Sequence, residues 1–364
     1  MRLTALDGLR GWAALSVIIF HMHWEIFGIK FPVFRNPVSS LLGNGSLAVA
    51  IFFTLSGYVL TIGRWRNPDN GNLLLTLVRR YLRLEIPIMG AVLIVYFLME
   101  FHLIYSVPAG PLVDRGDWLG QFADFEPNFL DALNFATLRA FGYSPVNNYG
   151  PFLWTMAVEL LGSVAVLSIS QRARSGRWPY VALVLFGALF VPVLPIAACV
   201  PAGALIALLQ RDGLLFRSEP SEQQGRAATA IALLAWALAA CLQFVFRNAL
   251  PVSITGIVIF LCVLRSHRLQ AFFDLPLSRW LGRVSFPLYL IQVAVIGSLT
   301  SWLIVWLASQ DQLTAWSAWA VALAGTAACL LAAWAYSPVE RFTLNVTQAI
   351  GRRSRRAQPA RQAI

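Results

Sequence analysis

The chain has 364 residues, of which 58% are hydrophobic and 12% charged, and its mean hydropathy is +0.66. The apolar residues fall in blocks long enough to cross a bilayer, which excludes an ordinary water-soluble domain. A net charge of +11 would suggest nucleic acid in a soluble protein, but the distribution of the basic residues follows membrane topology instead.

Ten helical spans are predicted, at about 9–29, 45–63, 84–106, 152–170, 179–192, 195–210, 227–246, 249–265, 284–308 and 315–336. This makes an all-α polytopic membrane domain over residues 1–342, with residues 343–364 as a basic and disordered tail. With both termini in the cytoplasm, 23 of the 28 lysines and arginines lie on that side, and only Lys30, Arg35, Arg115, Arg139 and Arg247 fall outside. The first span is too long for a signal-peptide core and is followed by bulky Trp24 to Phe27, so it is expected to be retained.

That first span carries the chemistry. Asp7, Arg10 and His21 lie in one apolar segment, and eleven residues separate the arginine from the histidine. At about 100° per residue, eleven steps come to about 1100°, which returns His21 to within about 20° of the Arg10 face and roughly 16 Å further along. Asp7 is three residues before Arg10 and shares that face. Ionisable groups at membrane depth are costly, and their default reading is functional. In the second span, Phe52, Ser56 and Val59 recur on one side of the helix. The Ser56-Gly57 pair fits close helix packing, and Ser56 could also line a cavity.

Arg64, Arg66, Arg79, Arg80 and Arg83 crowd the next inside loop, more than topology alone requires. Arg80 and Arg83, at i and i+3, are suited to clamp phosphate oxygens. The segment from Val107 to Gly150 is the one long outside loop, acidic and rich in Gly, Pro and aromatics, with an interfacial or re-entrant helix expected at 128–142. The fourth span opens with Phe152-Leu-Trp154 and buries Glu159, a carboxylate that needs a partner or water. It could orient His21 or an acceptor hydroxyl, or it could pair with an intramembrane arginine. Ser285, Tyr289 and Gln292 form a polar stripe in the ninth span. Cys199, Cys241, Cys262 and Cys329 read as small buried hydrophobes without metal-ligand spacing. His23, His102 and His267 read as structural or surface groups.

Taken in order, the Leu6-Asp-Gly-Leu-Arg-Gly opening, the Arg10 and His21 pair, Phe52-Phe-Thr-Leu-Ser-Gly57, Arg80 with Arg83, Trp154-Thr-Met-Ala-Val-Glu159 and Ser285-Phe-Pro-Leu-Tyr-Leu290 resemble the acyltransferase 3 family of bacterial membrane acyltransferases. The resemblance runs from residue 3 to about 342. It implies transfer of an acyl group, usually acetyl, from acyl-CoA to a hydroxyl of a surface or lipid-linked carbohydrate, with no cofactor beyond that cosubstrate and no metal. It implies a location in the bacterial inner membrane, His21 as the essential catalytic residue, and Arg10 with the basic motif as donor-binding groups. The chain departs from the family at Gln292, where relatives often carry histidine. It also ends without the extracytoplasmic hydrolase-like domain that some relatives append.

From the residues themselves, a hydroxyl is a poor nucleophile at neutral pH, and a neutral imidazole can take its proton as the thioester is attacked. The expected site is therefore His21 and Glu159 as catalytic residues, with Arg10, Arg80 and Arg83 at the donor. Asp7, Ser56, Trp154, Ser285, Tyr289 and Gln292 are expected to line the cavity. There is no G-x-S-x-G elbow and no Walker loop. The rival reading is a transporter or flippase for a lipid-linked glycan, which would need no CoA and often shows a repeated half. No convincing internal repeat is present.

Overall fold

The computed structural model describes residues 4–66, 72–142, 146–172, 176–245 and 249–356. Arg247, one of the basic residues placed outside, is not among them. The described backbone is helical wherever the sequence is apolar and contains no strand. Lipid offers no partner to a peptide group, and a helix satisfies its own.

Helix α1 (Thr4–Ile19) runs straight into π-helical turns at Phe20–Glu25. After the short α2 (Pro37–Leu42) come α3 (Gly45–Arg66) and α4 (Leu73–Glu100). The long loop after α4 holds α5 (Ser106–Leu112), a 3-10 turn at Leu119–Gln121 and α6 (Phe129–Thr137). Helix α6 lies within the 128–142 stretch where an interfacial or re-entrant helix is expected. Next come α7 (Trp154–Arg172), α8 (Trp178–Phe190), α9 (Cys199–Arg211) and α10 (Glu222–Val245). Helix α11 (Leu250–Arg265) bends by 98° into α12 (His267–Phe273). Helix α13 (Pro276–Val295) passes through π-helical residues Ile296–Thr300 into α14 (Ser301–Ser309), and α15 (Ala315–Arg356) closes the chain.

Six of these helical stretches are long and apolar enough to cross a membrane, or seven if the bent pair of α11 and α12 is one span. The chain is a multi-pass membrane protein. Helices α1, α8 and α9 lie outside that set. The last two have 13 residues each, against about 20 for a straight crossing. The sequence reading already separates them at 192–195, where the structure has a turn and a 3-10 helix at Pro195–Ala198. It counts each as a full span because composition registers how apolar a segment is and not how far its helix runs. A second difference lies at the end of the chain. The tail expected to be disordered from residue 343 is instead helical to Arg356 as part of α15. Thr343 and Thr347 are buried there, and Gly351 lies against the Arg79 guanidinium.

Two close contacts position the core. Helix α3 packs on α9 where Gly57 and Gly203 face each other's backbones: a Cβ at Gly57 would sit 1.9 Å from the Val200 carbonyl oxygen, and one at Gly203 1.9 Å from that of Thr54. Helix α1 packs on α13 in the same way, with a Cβ at Gly11 falling 2.4 Å from the Gly282 nitrogen. Small residues let helices meet in a membrane without a hydrophobic driving force between them. Gly203→Val is therefore expected to cost more than the ~1–3 kcal/mol typical of overpacking, because backbone cannot yield. A fall in the folded, monodisperse fraction on detergent gel filtration would register this, and a wild-type profile would refute it.

Candidate active site

Helices α1, α3, α7 and α13 border both of two cavities stacked along the bundle, and α4 and α15 complete the wall of the first. The cavity nearer the N-terminus has a volume of about 170 Å³ and is lined by Arg10, Arg80, Arg83, Ser56, Glu159 and Ser285, among others. The close approach of α1 to α13 brings Arg10 Nε within 3.0 Å of Ser285 Oγ, and Nη2 within 3.1 Å of the Gly282 carbonyl oxygen. Asp7, three residues away, lies 3.5 Å from the same guanidinium. Asp7 therefore holds Arg10 and does not itself line either cavity.

Arg80 donates to Glu159 in a short contact that also includes Ser56, whose hydroxyl donates to Glu159 Oε1 over 2.6 Å. Arg80 reaches Ser163 Oγ as well, at 3.3 Å. Of the two roles open to Glu159, the structure supplies the ion pair: the carboxylate faces Arg80 and borders the N-terminal cavity only. It does not orient His21. Arg83 lies 3.6 Å from Glu340 of α15.

The second cavity, of about 650 Å³, opens beneath the outside loop and is lined by His21, Glu25, Asp117, Trp118, Phe152 and Trp154, among others. His21 sits on the π-helical turn, its ring stacked on Phe152 at 4.0 Å and 15°. Its Nδ1 lies 2.9 Å from Gln292 Oε1. The Gln292 amide is turned by a second bond, in which Nε2 donates to the Tyr289 carbonyl oxygen at 2.9 Å. With Nε2 committed to a carbonyl, the amide presents Oε1, an acceptor, to the ring, so His21 carries a proton on Nδ1 and, when neutral, has its lone pair on its own Nε2. Gln292 is fully buried and lines neither cavity. The amide stands behind the histidine as its support.

Tyr289 and Thr155 border both cavities, as do Val17 and Val49. The Tyr289 hydroxyl donates to the Phe152 carbonyl and accepts from Thr155 at 2.6 Å. At the far end, Arg115 donates to Glu25 Oε2 at 2.7 Å and to the Glu25 carbonyl at 2.6 Å, and its guanidinium lies 4.8 Å from the Trp118 ring. This buried clamp ties the outside loop to the end of the first span. The sequence reading missed it, although Glu25 stands four residues after His21 and Arg115 is one of the few basic residues that the predicted topology puts outside. Arg139, another of those exceptions, pairs with Asp131 at 2.7 Å. His23 is buried between Phe34 and Trp319 and donates to the Ile19 carbonyl, while His102 and His267 are exposed. Among the described residues no group of three or more His, Cys, Asp or Glu could hold a metal.

The profile of the acyltransferase 3 family, an acyltransferase domain, matches residues 3–337. The chain belongs to the acyltransferase 3 family. Its curated relatives include the peptidoglycan O-acetyltransferase OatA of Listeria monocytogenes, 30% identical over 43% of this chain and 22% of that protein. The O-acetyltransferase PaAT-1 of Phomopsis amygdali is 29% identical over 44% of this chain and 39% of its own length, and the acyltransferase R4 of a Phoma species is 24% identical over 46% and 50%. The chain thus spans half or less of the length of these relatives. No solved structure matches it.

Proposed function

We propose that the protein is an O-acyltransferase of the inner membrane of a bacterium, moving an acetyl group from acetyl-CoA to a hydroxyl of a surface or lipid-linked carbohydrate. The observation that carries this reading is the His21 and Gln292 pair, which holds the ring at the edge of a cavity so that a neutral imidazole there has its lone pair on Nε2. An acyl acceptor needs such a base. The O-acetyltransferase names of two relatives favour acetyl and an oxygen acceptor.

In the proposed reaction His21 Nε2 takes the hydroxyl proton as the oxygen attacks the thioester carbonyl. The tetrahedral intermediate collapses with cleavage of the C–S bond. The departing thiolate receives the same proton and leaves as free CoA. A covalent acyl-histidine is not required, because the acceptor has its own cavity beside the imidazole. CoA phosphates are matched by Arg10, Arg80 and Arg83 at the N-terminal end. Trp118 and Trp154 offer stacking faces to a sugar, with Asp117 and Asn148 as polar partners. A glycan transporter would have no use for an imidazole held in one tautomer.

Sealed vesicles of opposite orientation test the arrangement. With acetyl-CoA labelled in the acetyl group, label is expected to enter glycan when the donor meets the face bearing the N-terminus and not when it meets the other. Equal labelling from both faces would remove the assignment of the arginines to the donor.

A further inference from the structure

Between the two cavities stand four side chains, one from each helix that borders both: Val17 of α1, Val49 of α3, Thr155 of α7 and Tyr289 of α13. Each borders both spaces. The arginines border only the first and His21 only the second. On α1 the order is Arg10, Val17, His21, at i, i+7 and i+11 along one face, so Val17 lies on the line between the donor-binding charge and the base. On α3 the order is Val49 then Ser56, seven residues on. Thr155 and Tyr289 are joined by their hydroxyls, and the second bond from Tyr289 to the Phe152 carbonyl fixes that pair in place. The valines have no such tether and are the compressible side of the ring.

Resting on the acyltransferase reading, we propose that these four residues form a septum crossed only by the acyl-bearing arm of the donor, and that Val17 and Val49 set the size of the acyl group transferred. The CoA phosphates stay with the arginines while the thioester carbon must reach His21, about 16 Å further along α1. Whatever is attached to that carbon passes the septum first. Two β-branched side chains with restricted χ1 leave little room for adjustment, so a two-carbon group passes in line with the arm, whereas a longer, freely rotating chain must be held extended to pass the valines. The bond chemistry beyond the septum is unchanged: C–S breaks, C–O forms, and the proton moves from the hydroxyl to His21 and on to the thiolate.

The test uses the full-length protein in membrane vesicles with acetyl-CoA and hexanoyl-CoA, each labelled in the acyl carbonyl, and reads label in extracted glycan per unit of inserted protein. For Val17→Ala, Val49→Ala and the double variant, the ratio of hexanoyl to acetyl transfer is expected to rise at least tenfold over the starting protein. Val49→Phe is expected to move the ratio the other way, which keeps the idea testable should an alanine variant insert poorly. Unchanged ratios in the inserted variants, with acetyl transfer present in the starting protein, would overturn the septum and leave the acyltransferase reading standing. Absence of acetyl transfer by the starting protein would overturn both.

Discussion

His21→Ala is expected to reduce acetyl transfer to glycan by about 10²–10⁴-fold, the usual contribution of a positioned general base, while the protein inserts at its normal level. The structure explains why the loss should be chemical. The ring makes one polar contact, with Gln292, and stacks on Phe152 at the edge of a cavity. Removing it enlarges that cavity and leaves the helix contacts of α1 with α13 in place. Gln292→Leu should give a smaller loss by a different route. A leucine keeps the volume but cannot hold Nδ1–H, so the ring is free to turn or change tautomer, and misplacement of this kind costs about 10²-fold. Label incorporation measured for both variants at matched insertion is the check. Equal transfer by His21→Ala and the unaltered protein would remove the histidine from the mechanism.

The largest effect on stability is expected at Glu159. Its side chain is 14% exposed and that of Arg80 16% exposed, and they lie between helices in a membrane domain. Glu159→Ala would leave the guanidinium without a counter-charge, with only Ser56 and Ser163 to hold it. Breaking one half of a buried pair costs about 3–5 kcal/mol, and thermal unfolding followed by aggregation in detergent should show a clear drop in midpoint. The double variant Glu159→Leu with Arg80→Met should recover much of that stability and yet fail in transfer, since Arg80 is also proposed to bind the donor. Recovery of both would mean the pair is purely structural. No loss in the single variant would mean that water already reaches the guanidinium.

Much of the site was legible because α1 is a single regular element until its last turns. Spacing alone put Arg10 and His21 on one face, and the structure places them at successive cavities along that face. The partner of Glu159 was not legible. Arg80 stands 79 residues earlier in the chain, and periodicity within one helix carries no information about a neighbour. Gln292 was harder still, since its identity departs from the family and its function depends on an amide orientation set by the Tyr289 carbonyl. The fold shows the same division. Long apolar helices such as α4 and α10 were recognisable from composition. The short α8 and α9 were read as full crossings, and the helical end of α15 was hidden by charges that read as a solvated tail.

A protein with two cavities stacked along its transmembrane bundle presents a hazard to its own cell. A continuous file of water through it would let protons run down the gradient that drives transport and ATP synthesis. The four side chains that border both cavities, Thr155 and Tyr289 joined by their hydroxyls with Val17 and Val49 beside them, stand where such a file would have to run. Insulation of the bilayer is thus as much a property of these side chains as any chemistry that takes place beside them.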